Sequence, residues 1–199
     1  MSRLNFMAHQ GESPRQGGYI MEAVSCITKR RSIRSFDTSR PVSHEILENI
    51  ISTASFAPSW KNSQVTRYIA VEGETKEKLS HCTNIWAKNG DIIRNAPMVV
   101  ALTVVKNRSG YERDGSYSTP HEDGWQYFDC GIAAEAFCLA AFDAGLGTVV
   151  LGLYDDNTAE VLGVPEDQEL IALIPIGYPA EEPIAPKRKT VEDLLSYRT

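Results

Sequence analysis

The segment from Gln126 to Ala144 constrains the fold most. Ile132, Ala133, Ala136, Phe137, Leu139, Ala140, Ala141 and Phe142 wrap most of a helix's circumference. A helix that is apolar nearly all round belongs inside a protein, packed against other elements, and not on its surface. No apolar run of the chain approaches the roughly 20 residues needed to span a bilayer, so the cover for this helix has to come from protein. Gly145 follows it in the usual C-terminal role of glycine.

The remaining pattern supplies that cover. Tyr68–Val71, Met98–Val105, Thr148–Leu151 and Leu170–Ile176 are rich enough in β-branched and aromatic residues to be strands. Helical spacing is expected over Glu22–Arg31, over Glu74–Cys82, and near Asn157–Leu162. A further helix runs from the N-cap Ser43 to about Ala57, where Pro58 stops it. Its buried stripe is Ile46, Leu47, Ile50 and Ile51, and Glu45 and Glu48 sit in the early turns where the helix dipole favours carboxylates. Asn107–Gly124 is polar and reads as a long loop, of the kind that often forms lids or binding loops. Beyond Gly177 the chain turns extended and rich in Pro and charge, Pro179–Lys189, then ends in a short amphipathic piece, Val191–Tyr197. With 199 residues and no internal repeat, this predicts one α+β domain over residues 21–199 with an extended C-terminal arm. Residues 1–20 carry little periodic pattern and are expected to be a mobile leader.

Charge and cysteines narrow the function classes. The net charge of −6 argues against a general nucleic-acid binder, which normally shows a basic balance. Residues 1–20 lack a secretory h-region. Cys26, Cys82, Cys130 and Cys138 have neither CxxC spacing nor a nearby His pair, so reduced thiols in a cytoplasmic protein are expected and a metal site is not. His9, His44, His81 and His121 are scattered, and no Ser/His/Asp or paired-carboxylate arrangement suggests a side-chain nucleophile.

Four stretches could carry chemistry. In Lys29-Arg30-Arg31-Ser32-Ile33-Arg34-Ser35-Phe36, guanidinium groups can fork onto phosphate oxygens and a serine hydroxyl adds a neutral donor. Alternation puts Ser32 and Arg34 on one side and Ile33 on the other. A solvated basic turn would look the same. Ala57-Pro58-Ser59-Trp60-Lys61-Asn62-Ser63-Gln64 is dense in amides and hydroxyls, and Asn62 and Gln64 can read the donor–acceptor edge of a flat heterocycle. Lys187-Arg188-Lys189 is a second basic stretch, which an exposed tail would equally explain. Gly145-Leu-Gly147-Thr-Val-Val-Leu151-Gly152 lacks the dinucleotide spacing, but Gly152 could let a ligand approach the backbone.

Taken in order and spacing across about Glu22 to Leu195, the four stretches resemble the nitroreductase (FMN reductase-like) family. The resemblance implies a mixed sheet flanked by helices, FMN as cofactor, NADH or NADPH as reductant and a small-molecule electron acceptor. It further implies a homodimer with the Gln126–Ala144 helix in its core and the C-terminal arms exchanged, without nucleic acid or membrane as partner. By the family pattern Arg30, Arg31, Ser32 and Arg34 hold the phosphate and ribityl side of FMN and the pyrimidine edge, and Lys187 and Lys189 complete the phosphate clamp. Pro58, Ser59, Trp60, Asn62 and Gln64 reach the ring from the other subunit, and Leu151 and Gly152 line it near its reactive face. The region Asp114–Tyr127, with Tyr117, Trp125 and Tyr127, is expected to form a substrate-facing wall. Trp60-Lys61 stands where many relatives carry small residues, so Trp60 either narrows the pocket and stacks on substrate or fills the interface. Val65-Thr66 stands where many relatives have Pro-Trp, and the glutamate some relatives carry near Gly152 is absent. The same scaffold can host reductive dehalogenation, enone reduction or flavin destruction, and a flavin-binding protein without turnover is the alternative outside enzymes.

Overall fold

The alternation of Met98–Val105 between two apolar faces places this strand at the centre of the protein. A computed structural model describes residues 22–199; the expected leader, residues 1–20, lies outside the described residues. In chain order the helices are α1 (Ala23–Lys29), α2 (His44–Ala54), α3 (Gly73–Ser80), α4 (Ala87–Asn95), α5 (Gly124–Asp143), α6 (Thr158–Val161) and α7 (Val191–Leu194). The strands are β1 (Thr66–Val71), β2 (Met98–Val105), β3 (Gly147–Thr148) and β4 (Gln168–Gly177), and short 3-10 turns form at Trp60–Asn62 and Asn84–Trp86.

The strands pair antiparallel in the order β1-β2-β4-β3. Among the described residues the one parallel contact is the bridge from Ser32 to Thr148, which lays the segment after α1 along β3. β2 and β4 are covered on both faces. Met98, Val100, Leu102 and Val104 meet Leu47, Ile50, Ala54, Cys130, Phe137, Cys138 and Ala141 from α2 and α5 on one side. Val99 and Ala101 meet Leu79, Ile92, Ile93, Ile33 and Phe36 on the other. This period-two division is the geometry of a pleated strand, and it makes a three-layer α+β domain. Ile171 is the extra residue where the β2–β4 register shifts, with Leu102 opposite Ala172 and Thr103 opposite Leu170.

Most elements fall where the pattern predicts. Ser43 caps α2 by accepting from the Ile46 N–H at 3.3 Å. α4 has no counterpart in the sequence reading, because Lys88, Asn89, Gly90 and Asp91 hide its apolar stripe. It packs through Ile92 and Ile93 and through two residues without an apolar signal, Asn89, which donates to the Leu153 carbonyl, and Gly90, which lies against the Ser80–Thr83 turn. α5 also departs from expectation. It buries Cys130, Ala133, Phe137, Cys138 and Ala141, but Tyr127 and Phe128 are exposed, and with Ile132, Ala136 and Leu139 they line an open apolar face. A single chain therefore covers only part of this helix.

Candidate functional site

Ile33 is the anchor of the cationic segment. Its side chain sits in the core, and its N–H donates to the Thr148 carbonyl at 2.9 Å. Gly147 makes this approach possible, since a Cβ there would lie 2.5 Å from Ile33 Cγ1. With Ile33 inward, Ser32 and Arg34 turn outward, as alternation requires. They join Arg30, Arg31, Pro183, Ile184, Pro186 and Arg188 around a cavity of about 490 Å³. Every charged side chain of that lining is a guanidinium. Among the described residues the buried Arg30 Nε has no hydrogen-bond partner, and Glu135 Oε1 stands 3.7 Å away, too far to accept a good bond. An orphaned cationic donor in a cavity walled by arginines fits an anionic, phosphate-sized group. Of the C-terminal basic stretch it is Arg188 that lines this cavity; Lys187 and Lys189 are exposed and outside its lining.

The arm is fastened beside the cavity. Glu181 Oε1 accepts from the Arg34 N–H at 2.7 Å and the Ser35 N–H at 3.1 Å. Around it Phe36 bridges Pro179, and the Ala180 N–H donates to the Ser35 carbonyl. The start of the arm thus runs alongside the arginine segment.

The amide-bearing loop lies elsewhere on the chain. Pro58, Ser59 and Gln64 line a second cavity of about 380 Å³ together with Arg67, Tyr68 and Asp129. Lys61, Asn62 and Gln64 adopt left-handed φ values of 45°, 56° and 47°. Each such residue costs about 1–2 kcal/mol, asparagine less, and strain of this kind clusters at functional sites. Ser59 Oγ accepts from the Gln64 N–H at 2.9 Å, and the Gln64 amide donates to Asn62 Oδ1 at 3.1 Å. Trp60 packs within its own chain against Trp125, ring centroids 4.7 Å apart and planes tilted by 47°, and its indole Nε1 is buried without a partner among the described residues. Trp125 in turn meets Phe128 edge-on.

The loop after β2 docks on this one. Tyr111 and Tyr117 bridge and pack at 4.9 Å, Ser118 N–H donates to the Gly110 carbonyl, and Lys61 Nζ reaches Glu112 Oε1 at 3.0 Å. The lysine and the Ser118 hydroxyl hold the Glu112 carboxyl below the usual range, the hydroxyl's hydrogen bond being the larger cause. Of the residues expected to form a wall, Trp125 packs against Trp60 of the amide loop, Tyr117 packs on Tyr111, and the Tyr127 hydroxyl donates to Glu169, with Tyr117 and Tyr127 exposed.

The two clusters do not meet within one chain. Neither cavity is lined by a member of the other group. Asp129 anchors the amide loop and Glu135 faces Arg30; six residues separate them on α5, which places them about 120° apart around its axis. Leu151 is buried, with its N–H and carbonyl both paired to Leu173, so it can offer a ligand only its apolar surface. Gly152 is exposed, with open space where a Cβ would stand. Among the described residues there is no metal-binding group of side chains and no helix long and apolar enough to cross a membrane. Sequence reasoning missed Asp129 and Glu181, because a lone carboxylate has no local pattern that marks its long-range donors.

Comparison with known proteins gives concordant results. The sequence matches the nitroreductase family over residues 27–84 and 75–178. It is 32% identical over 167 residues to an Archaeoglobus fulgidus protein carrying the name NADH dehydrogenase/NAD(P)H nitroreductase, covering 81% of this chain and 87% of that one. It is 25% identical over 203 residues to iodotyrosine deiodinase 1 of Rattus norvegicus, covering 87% of this chain and 68% of the relative. The fold aligns with a Desulfovibrio desulfuricans nitroreductase solved in complex with FMN at a TM-score of 0.71, with 25% identity and coverage of 88% of this chain and 96% of the other.

Proposed function

Because the chain belongs to the nitroreductase family, we propose that it is an FMN-dependent oxidoreductase that passes electrons from NADH or NADPH to a nitroaromatic, quinone or similar small acceptor, working as a homodimer. The observation that carries this reading is the arginine-walled cavity with the buried, unpartnered Arg30 Nε. When bound, FMN supplies hydride acceptance at N5 and electron donation to the second substrate, in a ping-pong cycle. The chain's own part is to bind and orient. Arg30, Arg31 and Arg188 would neutralise the phosphate, and Ser32 would add a neutral donor. The Arg34 guanidinium, placed at the pyrimidine edge, would favour the reduced, more negative cofactor electrostatically. Asn62 and Gln64 supply paired donors and acceptors to a heterocycle, and Gly152 leaves room at the ring.

Two features of the single chain support the dimeric reading. The amide loop and the arginine cavity lie on different sides of α5, so one cofactor touches both only when two chains combine. The open apolar face of α5, with Tyr127, Phe128 and Ile132, gives such a partner a place to pack, and the exposed Ile184, Val191, Leu194 and Tyr197 give the arm an apolar side to lay on it.

Titration of FMN and of riboflavin into the flavin-free protein, followed by quenching of flavin fluorescence, tests the reading. It predicts FMN bound at least about tenfold tighter than riboflavin, the worth of a charge-assisted phosphate contact; equal affinities would remove the clamp. The deiodinase likeness favours reductive dehalogenation as the second reading. Halide released anaerobically from a halogenated phenol with NAD(P)H, faster than nitroaromatic turnover, would place that chemistry first.

A further inference from the structure

Asp129 is a carboxylate in the most apolar helix of the protein, only 3% exposed. Burying such a group is costly unless donors satisfy its oxygens. Its donors come from two loops and none from its own helix. The Trp60 N–H donates to both oxygens, at 2.9 and 3.1 Å, and the Ser63 hydroxyl donates at 3.2 Å. From the other direction the buried Ser109 hydroxyl donates at 2.6 Å. Among the described residues no lysine or arginine forms an ion pair with it.

The positions of these donors matter more than their number. Trp60 opens the 3-10 turn in which Lys61 and Asn62 take left-handed backbone, so its N–H is the point at which that strained turn is tied down. Ser109 precedes Gly110, whose φ is +85° and where a Cβ would stand 2.6 Å from the Glu122 carbonyl. Ser109 therefore sits at the closed base of the loop after β2. One further contact, Lys61 with Glu112, runs directly between the loops, and Trp60 packs on Trp125 in the first turn of α5. The arrangement is two functional loops tethered to one buried carboxylate.

We infer that Asp129 is a positioning residue that holds the amide loop, residues 58–64, and the loop after β2, residues 107–124, as one unit, so that loosening either loosens both. The inference rests on the reading above, in which the first loop faces the flavin and the second faces the acceptor. It gives the acceptor-side loop a mechanical route to the flavin: an acceptor that displaces the outer loop also releases the backbone that holds Asn62 and Gln64 in place.

The test uses the full chain without flavin. Wild type, Asp129→Asn and Ser109→Ala are compared by amide hydrogen exchange of both loops and by the rate of tryptic cleavage after Lys61. Urea unfolding monitors the global fold. Ser109→Ala, a change in the outer loop, is expected to raise exchange at residues 60–64 and cleavage after Lys61 about fivefold or more, and Asp129→Asn to raise exchange in both loops by a larger factor. Should Asp129→Asn not fold, the Ser109→Ala comparison decides alone. Wild-type exchange in both variants, or loosening confined to residues 107–124 in Ser109→Ala, would overturn the inference. FMN titration separates the two levels: a wild type that binds no FMN defeats the functional reading and leaves the exchange result standing. A wild type that binds FMN while Asp129→Asn matches it in affinity and exchange defeats the inference alone.

Discussion

Replacing Gly147 by alanine should damage the arginine cavity from behind. The new Cβ would stand 2.5 Å from Ile33 Cγ1, 2.7 Å from its Cβ and 3.0 Å from its Cγ2. Both residues are buried, so the clash is relieved only by pushing the Arg31–Arg34 segment away from β3, which strains the Ile33 N–H to Thr148 carbonyl bond. Overpacking of this kind costs about 1–3 kcal/mol, equivalent to a fall in melting temperature of about 2–12 °C for a domain of this size. Because Ser32 and Arg34 flank Ile33, FMN affinity should fall together with stability. Adding Ile33→Ala removes the Cγ1 and Cγ2 contacts but not the one at Cβ, so it should relieve the clash only in part while creating a small cavity. Gly152→Ala is the control, since nothing lies within 4 Å of a Cβ at that position. It should leave the melting temperature unchanged and alter only flavin or acceptor binding. Thermal unfolding and fluorescence titration of both variants decide the matter. A Gly147→Ala protein with wild-type stability and wild-type FMN affinity would refute the packing argument, as would a Gly152→Ala protein destabilised to the same degree.

Further consequences are open to measurement. Ser43→Ala removes the acceptor for the Ile46 N–H and should cost about 1 kcal/mol of stability by urea unfolding; no change would mean that the cap contributes nothing. Burial pushes the Cys130 thiol up to about 12 and also raises Cys26, Cys82 and Cys138. All four are buried, so the folded protein should resist a chromogenic disulfide reagent at pH 8 and label fully only in denaturant; rapid labelling of the native protein would contradict this burial. Arg188→Ala should weaken FMN binding more than Lys187→Ala or Lys189→Ala, because Arg188 alone of the three lines the cavity. The reverse order would return the clamp to the two lysines.

The sequence disclosed the parts governed by local rules. β2 matches the expected span, α2 starts at its predicted cap, and Ile33 turns inward between Ser32 and Arg34, because period-two and period-3.6 patterns act over a few residues. α4 escaped notice because its buried face is built partly from Asn89 and Gly90, which carry no hydrophobic signal. The open face of α5 was not foreseen for a single chain: an all-apolar helix requires cover, and nothing in its sequence tells whether the cover comes from its own chain. At the candidate site, Arg30 to Arg34 and Pro58 to Gln64 stood out by composition. Asp129 and Glu181 did not, since their roles depend on donors 69 and 147 residues away in sequence. The placement of Arg188 instead of its lysine neighbours depends on how the arm turns after Pro186, which no local pattern specifies.

The central claim is that two separate cationic stretches enclose a flavin phosphate while an amide loop serves the ring. Its most direct test is the visible absorption spectrum of the purified protein, supplemented with FMN and desalted, before and after anaerobic addition of NADH or NADPH. The account predicts a retained yellow chromophore that bleaches with the nicotinamide and recovers when a nitroaromatic or quinone is added. A protein that emerges colourless from desalting would contradict it.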